Sequence, residues 1–259
     1  MKYFFLSKRA MLFFLVLLFF SCTPKKDILY YQNIDTLTSG KINSYEVRIQ
    51  SDDLLSINVT AEDPEIAIPF NLGASSSTAS SASSGTSTSI YLVDSNGYID
   101  FPVLGRIKVA GLLRSELVEL LQTKLQTYIK KPIVNLRITN FKVALQGEVN
   151  APGVYPVNSE RITLVEALSM AGDLTIYGKR ENILIIRETN GVKTFNRVDV
   201  TKADFIDSPF YYLAQNDVIY VEPNKTKINN AKIGADTGII MSAVSILMTL
   251  ITLTISITK

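Results

Sequence analysis

A chain with no histidine and a single cysteine among 259 residues has little with which to do covalent chemistry. Lacking histidine, it can build no Ser-His-Asp triad, no imidazole proton shuttle and no histidine metal ligand. Cys22 has no second thiol to join in a disulfide or a cysteine-rich zinc site. Three carboxylate pairs could share acid and base roles: Asp52 with Asp53, Glu62 with Asp63, and Glu116 with Glu119. Their settings read instead as a turn, a loop and the solvated face of a helix. No glycine cluster is arranged as a phosphate-binding loop. The expectation is a protein that is not an enzyme and holds no metal and no cofactor.

What remains is acylation and the chemistry of hydroxyl groups, and both sit in apolar surroundings. Cys22 directly follows the apolar run Ala10 to Phe20, which is preceded by Lys2, Lys8 and Arg9 and no acidic residue. At about 1.5 Å per residue the run falls far short of the ~30 Å bilayer core, so residues 1–21 read as a secretory signal peptide, with a true transmembrane anchor the alternative. Leu18-Phe19-Phe20-Ser21-Cys22 resembles a bacterial lipobox, with Phe19 where Leu is usual, Phe20 where a small residue is usual, and Ser21 small enough for the cleavage site. Cys22 is then expected to carry acyl chains of the palmitate type, each contributing about 0.8 kcal/mol per buried CH₂ to membrane attachment. An ordinary free thiol is the alternative. Without Lys2, Lys8 and Arg9, 23 basic residues face 24 acidic ones. So neutral a chain lacks the electrostatic footprint of a nucleic-acid binder.

Near the other end, Thr237 to Thr258 holds no charged residue. Gly238 to Thr258 is 21 residues, about 31 Å as a helix, and a lone segment in lipid must be helical to satisfy its backbone. A transmembrane helix over 234–258 is predicted. Ser242, Ser245, Thr249, Thr252 and Ser256 recur at a 3-4-3-4 spacing. With Gly234 and Gly238 they fall within an arc of roughly 80°, which Thr254 and Thr258 do not share. Three readings stay open: a single-pass anchor whose hydroxyls bond back to their own helix, a close-packed seam of small residues between helices, or a ring of helices with the hydroxyl face toward water. The last two require self-association.

The middle of the chain is patterned as α+β. Val47 and Ile49, then Leu55, Ile57 and Val59, alternate with polar residues as two short strands around Ser51-Asp52-Asp53. Ala74 to Ser89, built of Ala, Ser, Thr and Gly, has too little apolar surface to offset the entropy of ordering it and reads as a flexible loop, with O-glycosylation of its hydroxyls an alternative role. Tyr91–Val93 and Tyr98–Phe101 flank Asn96-Gly97 as a hairpin. A helix is predicted from about Leu113 to Ile129, with Leu113, Leu117, Leu120, Leu121, Leu125 and Tyr128 on one face and Pro132 closing it. Strands follow at 133–138, at 141–146 and into Tyr155. Thr163 and Glu166 are spaced as a capping box, and Gly172 suits the end of that helix. Ile183–Arg187 and Lys193–Val198 flank Asn190-Gly191 as strands, and Val218–Val221 ends at Pro223.

In this order the segments resemble the polysaccharide biosynthesis/export family, the Wza-like outer-membrane capsular and exopolysaccharide export lipoproteins. Tyr45 to Val59 resembles the opening of the family's export domain, and Tyr91-Leu92-Val93-Asp94 through Gly97-Tyr98-Ile99-Asp100-Phe101-Pro102-Val103-Leu104-Gly105 resembles its central motif. Gly147-Glu148-Val149 with Pro152-Gly153-Val154-Tyr155 resembles the junction into a soluble-ligand-binding β-grasp (SLBB) domain, and Asn216-Asp217 through Pro223 resembles that domain's end. The resemblance covers roughly residues 22–258. It implies a lipidated segment at 22–44, a β-rich export domain at 45–140, an SLBB β-grasp domain at 141–224 and a C-terminal transmembrane helix. Leu113 stands where the family often has Thr three residues before Glu. Its best-studied members carry several β-grasp repeats where this chain has room for one, and their wall helix is more amphipathic. The Ser/Thr loop and the Cys-Thr-Pro-Lys-Lys-Asp start resemble the Bacteroides-type branch.

The resemblance implies a ring of about eight copies in the bacterial outer membrane, with Cys22 acyl chains in the inner leaflet. The soluble domains would stack in the periplasm, and the last helices would form a porin-like channel for capsular or exopolysaccharide. Gly238, Ser242, Ser245, Thr249, Thr252 and Ser256 would line the pore or a helix seam. The implied partners are an inner-membrane polysaccharide co-polymerase with a tyrosine-kinase module, the polysaccharide and membrane lipid. Tyr211 and Tyr212 could stack on sugar rings or form a buried or interface pair. Arg137 and Lys142 could face the lumen or a solvated surface. The alternatives are a tail-anchored periplasmic glycan-binding lipoprotein without a pore, and a scaffold between membranes.

Overall fold

The structure, a computed structural model, describes residues 25–36, 45–71, 89–189, 191–232 and 235–257. The signal segment, Cys22, the Ser/Thr loop up to residue 88, Asn190 and Gly234 lie outside these residues. The apolar residues Leu55, Ile57 and Val59 recur at every second position, and the strand they make, β1 (Leu54–Thr60), buries all three. Helix α1 (Pro64–Ala67) opens on a proline and is capped by Asp63, whose Oδ1 accepts from the Glu65 amide at 3.0 Å. Strands β2 (Ile90–Leu92), β3 (Tyr98–Phe101) and β4 (Gly105–Lys108) precede helix α2 (Arg114–Leu125) and strand β5 (Ile133–Ile138). The sheet order is β2-β1-β5, all antiparallel, beside the separate hairpin β3–β4. Leu117, Leu121 and Leu125 of α2 are fully buried against these strands, each contributing about 1.5–3 kcal/mol.

Three expectations are corrected here. The Asn96-Gly97 turn forms, with Gly97 at φ +80°, but it does not join a hairpin. Val93 donates to Asp53 O at 2.9 Å and accepts from the Asp52 amide at 3.0 Å, which keeps β2 on β1, while β3 pairs with β4. Val47 and Ile49 do not sit in a ladder, and only Arg48 bridges to Leu113. Helix α2 stops at Leu125. Tyr128 then donates to Leu125 O in a tighter, three-residue bond at 2.8 Å, which carries Ile129 inward and leaves Tyr128 53% exposed. The β3–β4 connection stores strain: Val103, β-branched, sits at φ +62° while Leu104 donates to Pro102 O across it at 2.7 Å.

The second half forms β6 (Lys142–Gly147), β7 (Gly153–Pro156), α3 (Leu164–Met170), β8 (Gly178–Thr189), β9 (Val192–Val198) and β10 (Val218–Pro223). The sheet runs β7-β6-β10-β8-β9, with β6 and β10 parallel and the other neighbours antiparallel. Helix α3 begins with the predicted capping box, Thr163 Oγ1 accepting from the Glu166 amide and Glu166 Oε2 from the Thr163 amide. It ends at Gly172, φ +71°. Its Leu164, Ala167 and Leu168 pack on Val143, Leu145, Ile183, Ile185, Ile219 and Val221. Gly147, at φ +87°, has no room for a side chain, since a Cβ there would lie 2.1 Å from Val221 O. The chain is thus α+β, with two separate cores.

Helix α4 (Lys225–Lys232) follows, then α5 (Ala235–Ile257), 23 residues and about 34 Å long. Among the described residues no helix is long and apolar enough to cross a membrane.

Candidate functional site

Residues 30–33 dock on the second core. Gln32 donates from its backbone to Thr201 O at 2.8 Å, and Asn33 Oδ1 accepts from the Ala203 amide at 2.6 Å. Tyr31 stacks on Phe205 at 5.6 Å, and Tyr30 Oη donates to Asp173 Oδ1 at 2.5 Å. Burial first, and then that bond, raises the Tyr30 phenol well above its ordinary range. This strap is fixed by backbone pairing, aromatic stacking and a half-buried phenol together.

The chain then threads between the cores. In the extended run Tyr45–Ile49, Val47 is buried in the second core and Ile49 in the first. Tyr45 stacks on Tyr212 at 5.1 Å and 17°, and Tyr211 meets Tyr212 edge-on at 5.0 Å. The Arg161 guanidinium lies 5.4 Å over the Tyr212 ring. Beside this stack opens a cleft of about 370 Å³ walled by both cores: Arg114 opens α2, Arg137 lies on β5, and Asn158 to Arg161 come from the loop before α3. Val47, Ile138 and Phe141 give it an apolar side. Arg114 reaches Glu160 at 3.5 Å, and Arg137 donates to Asn158 O at 3.3 Å. Glu46 accepts from the Ser115 hydroxyl at 2.5 Å, and that bond holds its carboxyl below the ordinary range. Glu46 also takes up the Ser115 amide, a helix-start donor that Leu113 has no side-chain oxygen to satisfy.

Of the residues singled out from sequence, Arg137 and Tyr212 stand at or beside this cleft. Lys142 does not: it is exposed on β6, opposite Pro156. Tyr211 and Tyr212 are half-buried ring partners rather than free platforms. Sequence reasoning missed Tyr45, Arg114 and Arg161, because the cleft is assembled from four separated segments and no local pattern marks it. The carboxylate pairs each have a member in a structural role. Asp63 caps α1, Glu116 Oε2 accepts from the Leu113 amide at 2.7 Å, and Asp53 is sealed in the joint between the cores. Burial pushes the Asp53 carboxyl up to about 6. Its Oδ2 accepts from the Gln50 amide at 2.8 Å, and its Oδ1 has no hydrogen-bond partner among the described residues. Around it Asn140 bonds the Leu54 amide and Asp52 O, and Gln215 bonds Asn140 O and the Lys142 amide.

On α5, Gly238, Ser242, Ser245, Thr249, Thr252 and Ser256 are all exposed, and so are Leu247, Leu250 and Ile251. Ser242 donates to Gly238 O, Thr249 to Ser245 O at 2.6 Å and Thr252 to Met248 O at 3.0 Å. Within one chain these hydroxyls are satisfied by their own helix.

Comparison with known proteins matches residues 41–139 to the polysaccharide biosynthesis/export protein family and residues 141–221 to the SLBB domain. The chain is 33% identical over 182 residues to the EPS I polysaccharide export outer membrane protein EpsA of Ralstonia nicotianae (strain ATCC BAA-1114 / GMI1000), covering 68% of this chain and 47% of that protein. It is 29% identical over 185 residues to the protein of the same name from Ralstonia solanacearum, covering 69% and 48%. The chain therefore spans about half the length of the curated relatives it matches.

Proposed function

Because the chain belongs to the polysaccharide biosynthesis/export family, we propose that it is a lipid-anchored outer-membrane protein whose copies form the exit channel for a capsular or exopolysaccharide. The observation that carries this reading is that the strap after Cys22 and the helices after β10 both leave from the second core. Only residues 23 and 24 separate Cys22 from the described strap, a reach of about 10 Å. Helix α5 starts 12 positions after β10 ends. In this reading an acylated Cys22 would hold the second core, the SLBB domain, against a membrane that α5 enters in company with its copies rather than crossing alone. The first core, the export domain, lies on the far side, toward the periplasm and an inner-membrane co-polymerase with its kinase module. Residues 45–140 and 141–224 are the two domains in this reading, and 234–258 is the membrane segment.

One helix cannot enclose a pore, so export through α5 requires a ring, of about eight copies by analogy with the family. In such a ring Gly238, Ser242, Ser245, Thr249, Thr252 and Ser256 turn inward while Leu250 and Ile251 face lipid. Hydroxyls suit a passing glycan because they exchange hydrogen bonds with water and polymer without a fixed charge that would trap it. The protein catalyses no reaction, and energy comes from the partner.

A second reading, a tail-anchored glycan-binding lipoprotein without a pore, is favoured by the hydroxyls already bonded within their own helix. Two variants separate the readings, scored by cell fractionation and by secreted polymer. Truncation after Lys232 should leave the protein in the membrane through Cys22 yet abolish export, and Cys22→Ala should shift the anchoring. Undiminished export after the truncation rejects the channel.

A further inference from the structure

Resting on the export reading, we propose that the cleft between the two cores is a subsite for a carboxylate-bearing sugar of the exported polymer. Its chemistry is divided as glycan recognition requires. Val47, Ile138 and Phe141 give an apolar surface for the carbon face of a sugar ring, and Asn158 supplies an amide for its hydroxyls. The volume, about 370 Å³, lies in the range of small-ligand sites.

The cations at the rim decide the class of ligand. Arg114 is already paired with Glu160, and Glu46 is engaged by Ser115. Arg137 has only a long bond to a backbone carbonyl, 3.3 Å, and Arg161 lies over the Tyr212 ring. Neither has a carboxylate partner among the described residues. The cleft's two carboxylates, Glu46 and Glu160, are engaged by Ser115 and Arg114, which leaves two exposed guanidinium groups from different cores lining one concave surface without an ion pair of their own. The planar guanidinium fork matches a carboxylate with two parallel hydrogen bonds, a fit that a neutral hydroxyl does not reproduce. Because Arg137 belongs to one core and Arg161 to the other, a bound carboxylate would also clamp the joint between them.

The test measures binding of trigalacturonate and of neutral maltotriose to the purified full-length chain in detergent, by titration calorimetry. The variants are Arg137→Gln with Arg161→Gln, and Lys142→Gln as an exposed basic control outside the cleft. Thermal unfolding is followed in parallel, to confirm that the exposed substitutions leave the fold intact. Trigalacturonate should bind at least about tenfold more tightly than maltotriose and weaken on added salt. The double variant should lose about tenfold or more, and Lys142→Gln should not. Equal affinity for the two sugars, no trigalacturonate binding, or an unaltered double variant overturns the subsite. If the double variant dissociates an oligomer yet binds trigalacturonate normally, the cleft is a contact between copies and the subsite is again rejected. Trigalacturonate binding by a protein that proves monomeric would keep the subsite and reject the channel.

Discussion

Asp53 is where the joint between the cores closes, and its charge state is coupled to stability. It is fully buried, and burial raises its carboxyl to about 6 from an ordinary 3.8. Between those values the folded protein holds a proton that the unfolded chain has released. The stability this group contributes is complete below about pH 3.8 and is lost as pH rises through about 6. The full difference is about 3 kcal/mol. Asp53→Asn keeps an oxygen for the Gln50 amide and cannot ionise. Wild-type protein should therefore lose thermal stability relative to the variant between pH 4 and pH 7. Parallel pH profiles would show that another group sets the dependence. The Ser51-Asp52-Asp53 turn was legible in the sequence, and Asp52 indeed takes φ +67°. The burial of Asp53 was not, because Asn140 and Gln215, which close the joint around it, come from distant parts of the chain.

At the scale of elements, local chemistry was readable and distant pairing was not. Thr163 and Glu166 satisfy each other within one helical turn, so their spacing alone foretold the start of α3, as Gly172 did its end. The turn at Asn96-Gly97 was equally local, yet its flanking strands went to different partners because Val93 is held by Asp52 and Asp53. On α5 the spacing of hydroxyls was plain, but which way they face depends on neighbours that one chain does not contain. If Thr249 and Thr252 face a lumen, Thr249→Leu with Thr252→Leu should cut exported polymer several-fold while Leu250→Thr has little effect. Both are exposed positions on a helix, so neither change disturbs the cores. Equal effects in a secretion assay would argue against an inward hydroxyl face.

At the scale of the whole molecule, the strap decides the arrangement. Residues that precede the first core in sequence lie on the second, through Tyr30, Tyr31, Asn33, Tyr45 and Val47. No hydrophobic periodicity foretold this, because the strap is short and irregular and its anchoring partners lie some 170 residues further along, as for Asn33 with Asp204. The order of segments along the chain was legible, whereas their order in space came only from these contacts. In the proposed reading, a lipid at Cys22 and the helix after β10 would then act on one domain. A channel is possible only if that domain's helices associate around a common axis. The most direct measurement is the particle mass and rotational symmetry of the purified full-length protein in mild detergent. A closed ring of about eight copies is the expected result, and a solitary chain at every concentration would contradict the channel.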